Sequence, residues 1–470
     1  MSELIRTRFA PSPTGRLHLG NVRIAVFNWL FTRHHGGAFV LRIEDTDVER
    51  NVPGAEEALM GDLRWLGLEW DEGPDVGGVH GPYRQSERGH LYQEALAALL
   101  DQGEAYRCFC AEGEGSEETR RYPGTCRSLD REEAAARAEK GEMHVVRLRT
   151  PEAGTIEIRD EVRGDITFPA SDIDDFVLRR ADRRPTYNFA VVVDDVTMAI
   201  SHVIRGGGHL SNTPKQALLF DAIGAPRPRF VHLPNVLAPD GGKLSKRHGA
   251  QGVEALRDEG MLPEAIVNYL SLLGWSHPEE KEVLTRDELV AAVDLDRVRA
   301  SEMAYDPDKL RWVAAQHLAR LPLRAVVDGV RPFVDRSRFP LSDPALGPAM
   351  EALRSRLSAF GEVNDHLGFV FPQDGAAWDE LRAALRRDPE GQEVLREAHA
   401  SLEALEGWDR EGVRTAFKEA GRRTGARGPG LFHPLRKAIT AAESGPDLGW
   451  ICVALGREEV LHRLEAAMVA

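Results

Sequence analysis

The stretch Ala10-Pro11-Ser12-Pro13-Thr14-Gly15-Arg16-Leu17-His18-Leu19-Gly20-Asn21 decides the fold through what lies on either side of it. Residues 4–9, before it, read as a strand. After it, Val22, Ala25, Val26, Trp29 and Leu30 recur at helical spacing toward His35, and Gly36-Gly37 supplies a stop. Residues 38–43 form a second strand-like run. Strand, glycine-bearing turn, helix and strand make a βαβ unit, which predicts a parallel, doubly wound sheet. The turn sets His18 and Gly20 at the mouth of the helix, where unpaired N–H groups and the positive dipole end suit a nucleotide phosphate. His18 can add a hydrogen bond there, and Gly20 lets a flat base approach the backbone. An ordinary strand-to-helix turn with a surface histidine is the plain alternative.

Further along, residues 105–164 break into short strands, a charged helical patch and a cysteine cluster, which reads as an insertion into the sheet domain. Residues 174–179, 191–194 and 200–205 then read as strands. Asn212-Thr213-Pro214 opens a helix running to about Ile223. Beyond about Gly249 the pattern is almost wholly helical with no repeat period, and proline-bearing breaks near Leu321-Pro322 and Phe339-Pro340 are candidate boundaries.

With 42% hydrophobic and 29% charged residues, a chain of 470 residues has room for several compact cores. A net charge of −15 argues against indiscriminate binding to nucleic acid. Its basic residues nevertheless cluster at Arg179-Arg180-Ala181-Asp182-Arg183-Arg184, at residues 243–248 and at Arg422-Arg423-Thr424-Gly425-Ala426-Arg427; each of these is by default a solvated face. Four cysteines are too few for a disulfide framework. Three of them, Cys108, Cys110 and Cys126, lie close in sequence and point to metal or catalysis in a reducing compartment. Cys452, inside an apolar run, reads as a small hydrophobe. The N-terminus has no apolar core of a signal peptide, and no stretch approaches the roughly 18 apolar residues that span a bilayer, so a cytoplasmic location is expected.

A second element complements the helix entrance. Pro239-Asp240-Gly241-Gly242 introduces Lys243-Leu244-Ser245-Lys246-Arg247, where two lysines three apart flank a serine in a glycine-hinged loop. Such a loop is suited to closing over a triphosphate and neutralising charge that develops during displacement. His18-Leu19-Gly20-Asn21 resembles the HIGH signature, and residues 243–247 resemble the KMSKS signature, of the aminoacyl-tRNA synthetase class built on a Rossmann-type sheet. Five further segments narrow the resemblance to the bacterial glutamyl-tRNA synthetase family. They are Arg8-Phe9-Ala10-Pro11-Ser12-Pro13-Thr14-Gly15, Leu41-Arg42-Ile43-Glu44-Asp45-Thr46-Asp47, Gly81-Pro82-Tyr83-Arg84-Gln85-Ser86, Pro185-Thr186-Tyr187-Asn188-Phe189 and His202-Val203-Ile204-Arg205-Gly206.

That resemblance implies an α/β Rossmann-type catalytic domain with an inserted zinc-bearing subdomain, followed by an all-α C-terminal half. The implied divisions are 1–107 and 166–240 for the two catalytic halves and 108–165 for an acceptor-stem-binding insertion. Residues 241–325 would form the lysine-loop and stem-contact helical domain, and 326–470 a helical anticodon-binding domain. It also implies ATP with Mg2+, L-glutamate and tRNA(Glu) as partners, a monomer, and activation of glutamate followed by transfer to the tRNA 3′ end.

By the same resemblance His18, Lys243 and Lys246 are the catalytic residues, and Gly20 and Ser245 join them around ATP. Arg8 and Arg205 hold the carboxylates of glutamate through bidentate geometry, Glu44 meets its ammonium, and Ser12 and Tyr187 add neutral hydrogen bonds. Cys108, Cys110, Cys126 and the Tyr122 oxygen resemble the family's zinc set. Where other members have histidine two residues after the third cysteine this chain has Ser128, so the fourth ligand stays open. The chain departs again at Gly207-Gly208, where the family carries two acidic residues before the histidine, here His209. Arg354 and Arg356 fall in a segment resembling the anticodon-contacting region. The alternatives are a truncated synthetase of glutamyl-queuosine type, which lacks the helical half, and a non-catalytic tRNA-binding paralogue, which has no need of His18 or the lysines.

Overall fold

The computed structural model describes residues 4–110, 122, 124–238, 240–242, 252–339, 341–368, 370–371 and 375–468. The chain divides into two compact units, Met1–Glu254 with Val267–Pro307, and Ala255–Ile266 with Asp308–Ala470.

In the first unit, β1 (Arg6–Phe9) pairs in parallel with β2 (Ala38–Leu41), Arg6 opposite Ala38 and Phe9 opposite Leu41. Helix α1 (Leu19–His34) connects them and buries Val22, Ala25, Val26, Phe27 and Leu30. Its last turn carries Arg33 and His34, cations suited to the negative dipole end, and Gly36 leaves the helix at φ 63°. The elements that follow are α2 (Ala55–Trp65), α3 (Gly89–Gln102), β3 (Ala105–Cys108), α4 (Arg131–Glu139), β4 (Val145–Leu148), β5 (Thr155–Asp160), β6 (Gly164–Pro169), β7 (Val177–Arg179), α5 (Tyr187–Thr197), β8 (His202–Gly206), α6 (Thr213–Ile223) and β9 (Arg229–Leu233).

Strands β3, β4 and β7 form an antiparallel sheet in that order. A second sheet has the order β6-β5-β9-β8, with β8, β9 and β5 parallel and β6 antiparallel at the edge. The start of β8 is tied to β1 by the Ser201 N–H, which donates to the Arg6 carbonyl at 3.0 Å, and by the Arg6 N–H, which donates to Ser201 Oγ at 2.8 Å.

The parallel sheet expected from sequence is therefore mixed. The antiparallel strands come from the hairpin β5–β6 and from the insertion, whose short segments carry no signal of pairing direction. The strand expected at residues 191–194 is instead the interior of α5, in which Phe189, Ala190, Val191, Val192, Val193, Asp194 and Asp195 are all buried. A short apolar run buried on every side has the same pattern in a helix as in a strand, and its β-branched residues tilt the reading the wrong way. Beyond residue 249 the helical expectation fails at Met303–Ala304, which pairs in parallel with Val236–Leu237; two residues are too few to leave a periodicity.

The second unit is a helical assembly, including Asp343–Leu353, Pro389–Glu403, Arg410–Thr424, Pro429–Thr440 and Leu448–Leu455, packed around Phe339, Leu353, Leu395, Phe417, Leu435 and Ile451. Three of these helices start at an aspartate whose carboxylate accepts a backbone N–H of the first turn: Asp388, Asp409 and Asp447, at 3.0, 2.8 and 3.0 Å. Cys452 is fully buried in this core, as a small hydrophobe would be. Among the described residues, no helix is long and apolar enough to cross a membrane.

Candidate active site and candidate metal centre

His18 is the N-cap of α1, and its Nδ1 accepts the Asn21 N–H at 3.3 Å. The imidazole thereby folds over Gly20, where a Cβ would sit 3.2 Å from the ring. Any larger residue at position 20 would push the histidine ring aside by a few tenths of an ångström. No acidic residue occupies the first turn, so the helix's own side chains do not offset its positive end, which suits an anion. Lys243, Ser245 and Lys246 lie outside the described residues. The chain just beyond them returns to the helix entrance: Gly252 bridges His18 in antiparallel fashion, and Glu254 pairs with Arg16.

Behind this entrance stands a buried network of three arginines and three carboxylates. Arg8 Nε and Nη2 donate to Asp195 Oδ1 and Oδ2 at 3.1 and 3.4 Å. Arg42, fully buried, donates to Asp195 at 2.7 Å and to Glu44 at 3.2 Å, and lies 3.6 Å from Asp194. Arg88 donates to Asp194 at 2.6 Å, joined there by Gln85 and Tyr92. Burial alone would raise both aspartates. At Asp195 the guanidiniums of Arg8 and Arg42 outweigh it and hold the carboxyl below its usual range, whereas at Asp194 and Glu44 burial wins and the carboxyls are pushed up.

Arg205, on β8, is different. Its Nε donates to His232 Nε2 at 3.0 Å, its Nη1 to Gln216 Oε1 at 2.7 Å and its Nη2 to Thr213 Oγ1 at 2.8 Å. Burial pushes the Arg205 pKa down to about 10. Asp160 accepts from His232 Nδ1 at 2.6 Å, which turns the lone pair of Nε2 toward Arg205, and burial keeps that imidazole's pKa low. Among the described residues Arg205 thus hydrogen-bonds to three neutral partners, while Asp195 and Glu44 act on it only electrostatically. Tyr187 lies within electrostatic reach of Glu44, Arg205, Arg8 and Arg42, and its hydroxyl is 3.2 Å from His209 Nδ1. Ser12 is exposed, next to Pro11, whose carbonyl accepts the Glu44 N–H at 3.0 Å.

Arg8, Glu44, Tyr187 and Arg205 are therefore brought together. Arg8 meets Asp195 with one two-nitrogen edge of its guanidinium. Asp160, Thr213, Gln216, His232 and Asp195, which orient the two arginines, were not singled out in the sequence. A buried polar residue inside a strand or helix leaves no local signature, although Asp194-Asp195 within an apolar run was an available hint. At Gly207 a Cβ would sit 2.7 Å from the Arg163 guanidinium and 3.2 Å from the Leu233 carbonyl oxygen, while Gly208 faces open space.

The sulfurs of Cys108, Cys110 and Cys126 lie within 4.8 Å of one another, Cys110 and Cys126 at 3.5 Å. Tyr122 Oη is 3.3 Å from Cys108 Sγ and accepts the Cys126 N–H at 3.0 Å. A tetrahedral thiolate site with bonds of about 2.3 Å needs sulfurs about 3.8 Å apart, so this donor set fits a metal ion with little movement.

The chain matches the family model for the catalytic domain of class I tRNA synthetases (E and Q) over residues 4–312, and an anticodon-binding-domain model over residues 325–468. It is 43% identical to the glutamate–tRNA ligase of Desulforudis audaxviator, with 99% of this chain and 96% of that one covered. The chain belongs to the glutamate–tRNA ligase family. A second member, from Moorella thermoacetica, is 42% identical with 98% of each chain covered. A crystal structure of a glutamate–tRNA ligase from Elizabethkingia meningosepticum, in complex with its amino acid, superposes with a TM-score of 0.87 at 32% identity, covering 99% of each chain. Family membership accounts for the class I catalytic fold with its mixed sheet and for the helical C-terminal half.

Proposed function

We propose that this chain activates L-glutamate with ATP to form glutamyl-adenylate and transfers the glutamyl group to the 3′-terminal adenosine of tRNA(Glu). The observation that carries this reading is Arg205: a buried guanidinium whose hydrogen-bond partners among the described residues are all neutral, with no carboxylate of the protein bonded to it, suits one anionic group. Arg8 lies close by, and the Glu44 carboxylate suits an ammonium. The γ-carboxylate of glutamate satisfies Arg205, whereas the amide of glutamine would set N–H donors against a group that has only donors. Tyr187 and Ser12 add neutral hydrogen bonds.

In the first step the glutamate α-carboxylate attacks the α-phosphorus of ATP, taken as its magnesium complex, and pyrophosphate leaves. In the second, a ribose hydroxyl of the tRNA takes the acyl group and AMP leaves. Neither step needs a covalent enzyme intermediate, so the protein's contribution is positioning and charge stabilisation. His18 and Gly20 at the head of α1, with Lys243, Ser245 and Lys246, are the residues we assign to the nucleotide. The return of the chain to His18 at Gly252, six residues past Lys246, supports their meeting around one triphosphate.

We assign zinc to Cys108, Cys110 and Cys126, with Tyr122 as fourth ligand, where it would lock the insertion's fold; no chemical step passes through it. The insertion, residues 108–165, is read as the acceptor-stem contact, residues 241–325 as the stem-contact domain and 326–470 as the anticodon domain. The whole chain is read as a cytoplasmic monomer. The test is charging of purified tRNA with radiolabelled glutamate and glutamine. The wild-type chain should use glutamate alone, and Arg205→Gln should lose glutamate charging by about a hundredfold or more. Equal use of the two amino acids by the wild type would refute the reading.

A further inference from the structure

The basic run at residues 179–184 has no part in the site described above. Arg107 on β3 lies opposite Val146 on β4, and Val146 lies opposite Arg179 on β7. The two arginines thus flank Val146 from either side, although the pairing of β4 with β7 shifts register between Val146 and Arg147. Arg179 Nη2 donates to His144 Nε2 at 2.8 Å, and its Nε is buried with no hydrogen-bond partner. His144 Nδ1 faces the Glu142 carbonyl at 2.9 Å, which makes the ring a neutral acceptor for Arg179.

Arg183, within electrostatic reach of Arg179, sits in the turn after β7, where the Arg183 N–H donates to the Arg180 carbonyl at 3.0 Å. Its φ is 70°, a left-handed conformation that glycine adopts freely and an arginine adopts at a cost in backbone energy. The residue is exposed, so no packing of its side chain offsets that cost. Among the described residues, Asp182 is engaged by Arg184 and Glu142 by Arg137. Burial, Arg183 and Arg107 together lower the pKa of Arg179, so its charged neighbours are both cations. Among the described residues Arg107, Arg179 and Arg183 have no ion-pair partner. Three guanidiniums that repel one another, one of them held in a strained conformation, form a receptor for an anion with several acceptor oxygens.

We propose that Arg107, Arg179 and Arg183 form a clamp for a backbone phosphate of the tRNA, an inference that rests on tRNA being the substrate of this chain. The probe is the charging reaction on full-length protein, read as KM for tRNA, KM for glutamate and kcat between 50 and 300 mM KCl. Arg183→Gly removes one cation and relieves the φ strain, so folding is not compromised. It should raise KM for tRNA about three- to tenfold at unchanged kcat and glutamate KM, and lower the slope of log KM against log salt by about one. Arg183→Lys should keep most of the affinity, and Arg107→Gln should act in the same direction as Arg183→Gly. A wild-type chain that charges tRNA, with Arg183→Gly matching it in tRNA KM and salt slope, overturns the clamp. A wild-type chain that charges no tRNA overturns the synthetase reading, and the clamp with it.

Discussion

Asp195 governs Arg8 from behind: both carboxylate oxygens engage the guanidinium, and Arg42 shares one of them. Removing one charge-assisted bond of this kind costs about 1.5–3 kcal/mol. Asp195→Asn should therefore raise KM for glutamate at least about tenfold while KM for ATP stays within about twofold, measured by adenylate formation in the presence of tRNA. Equal rises in both constants would make Asp195 a folding residue rather than a positioning one. At the other end of β8, His202 is 6% exposed, and burial, with Arg229 and His35, pushes its pKa down to about 4. A histidine kept neutral by folding contributes stability that is whole above its free pKa of about 6.5 and fades as pH falls toward 4. Between pH 7 and pH 4.5 the wild type should lose up to about 3 kcal/mol relative to His202→Gln, read from urea midpoints of both proteins. Arg8, Glu44, Tyr187 and Arg205, which the fold brings near one another, could be singled out because they sit in recognisable runs of sequence. Asp160, His232, Gln216 and Thr213 were not, because what joins them to Arg205 is proximity across separate strands and a helix.

At the scale of elements, the helix entrance was legible because periodicity, turn glycines and an N-cap position are all local. Helix α5 was misread because its apolar run is buried on every side. The cysteine cluster lies between these cases. Its spacing was visible, yet only the fold, with Cys108 at the end of β3 and Cys126 in a turn, brings the sulfurs within metal-binding reach. Protein purified without chelators should carry about one zinc per chain, and Cys110→Ser should lower that content and release the remaining metal faster to a chelator. Less than about a tenth of a zinc per chain in the wild type would end the assignment.

At the scale of the molecule, the second unit is discontinuous, since Ala255–Ile266 belongs with Asp308–Ala470. Within it Arg311 reaches Glu259 at 3.3 Å, the Phe360 N–H donates to the Gly260 carbonyl at 3.1 Å, and Gly260 lies so close to Phe333 and Phe360 that a Cβ would come within 2.8 Å of the first ring. In the full chain Gly260→Val, which sets a branched side chain against both rings at a φ of 78°, should lower the urea midpoint of the second unit; an unchanged midpoint would show that the segment adds nothing to that core. No sequence pattern announced this exchange of segments, because a segment's membership of a core is set by contacts between residues far apart along the chain. By itself the sequence determined what depends on neighbours a few residues apart: the βαβ start, the helix entrance with His18, the cysteine spacing and the helical character of the C-terminal half. Only the tertiary structure decided which charges are neutralised and which are left waiting. The energy of a buried charge depends on every group that folding brings within a few ångströms of it, and Arg205, hydrogen-bonded to His232, Gln216 and Thr213, is the clearest case.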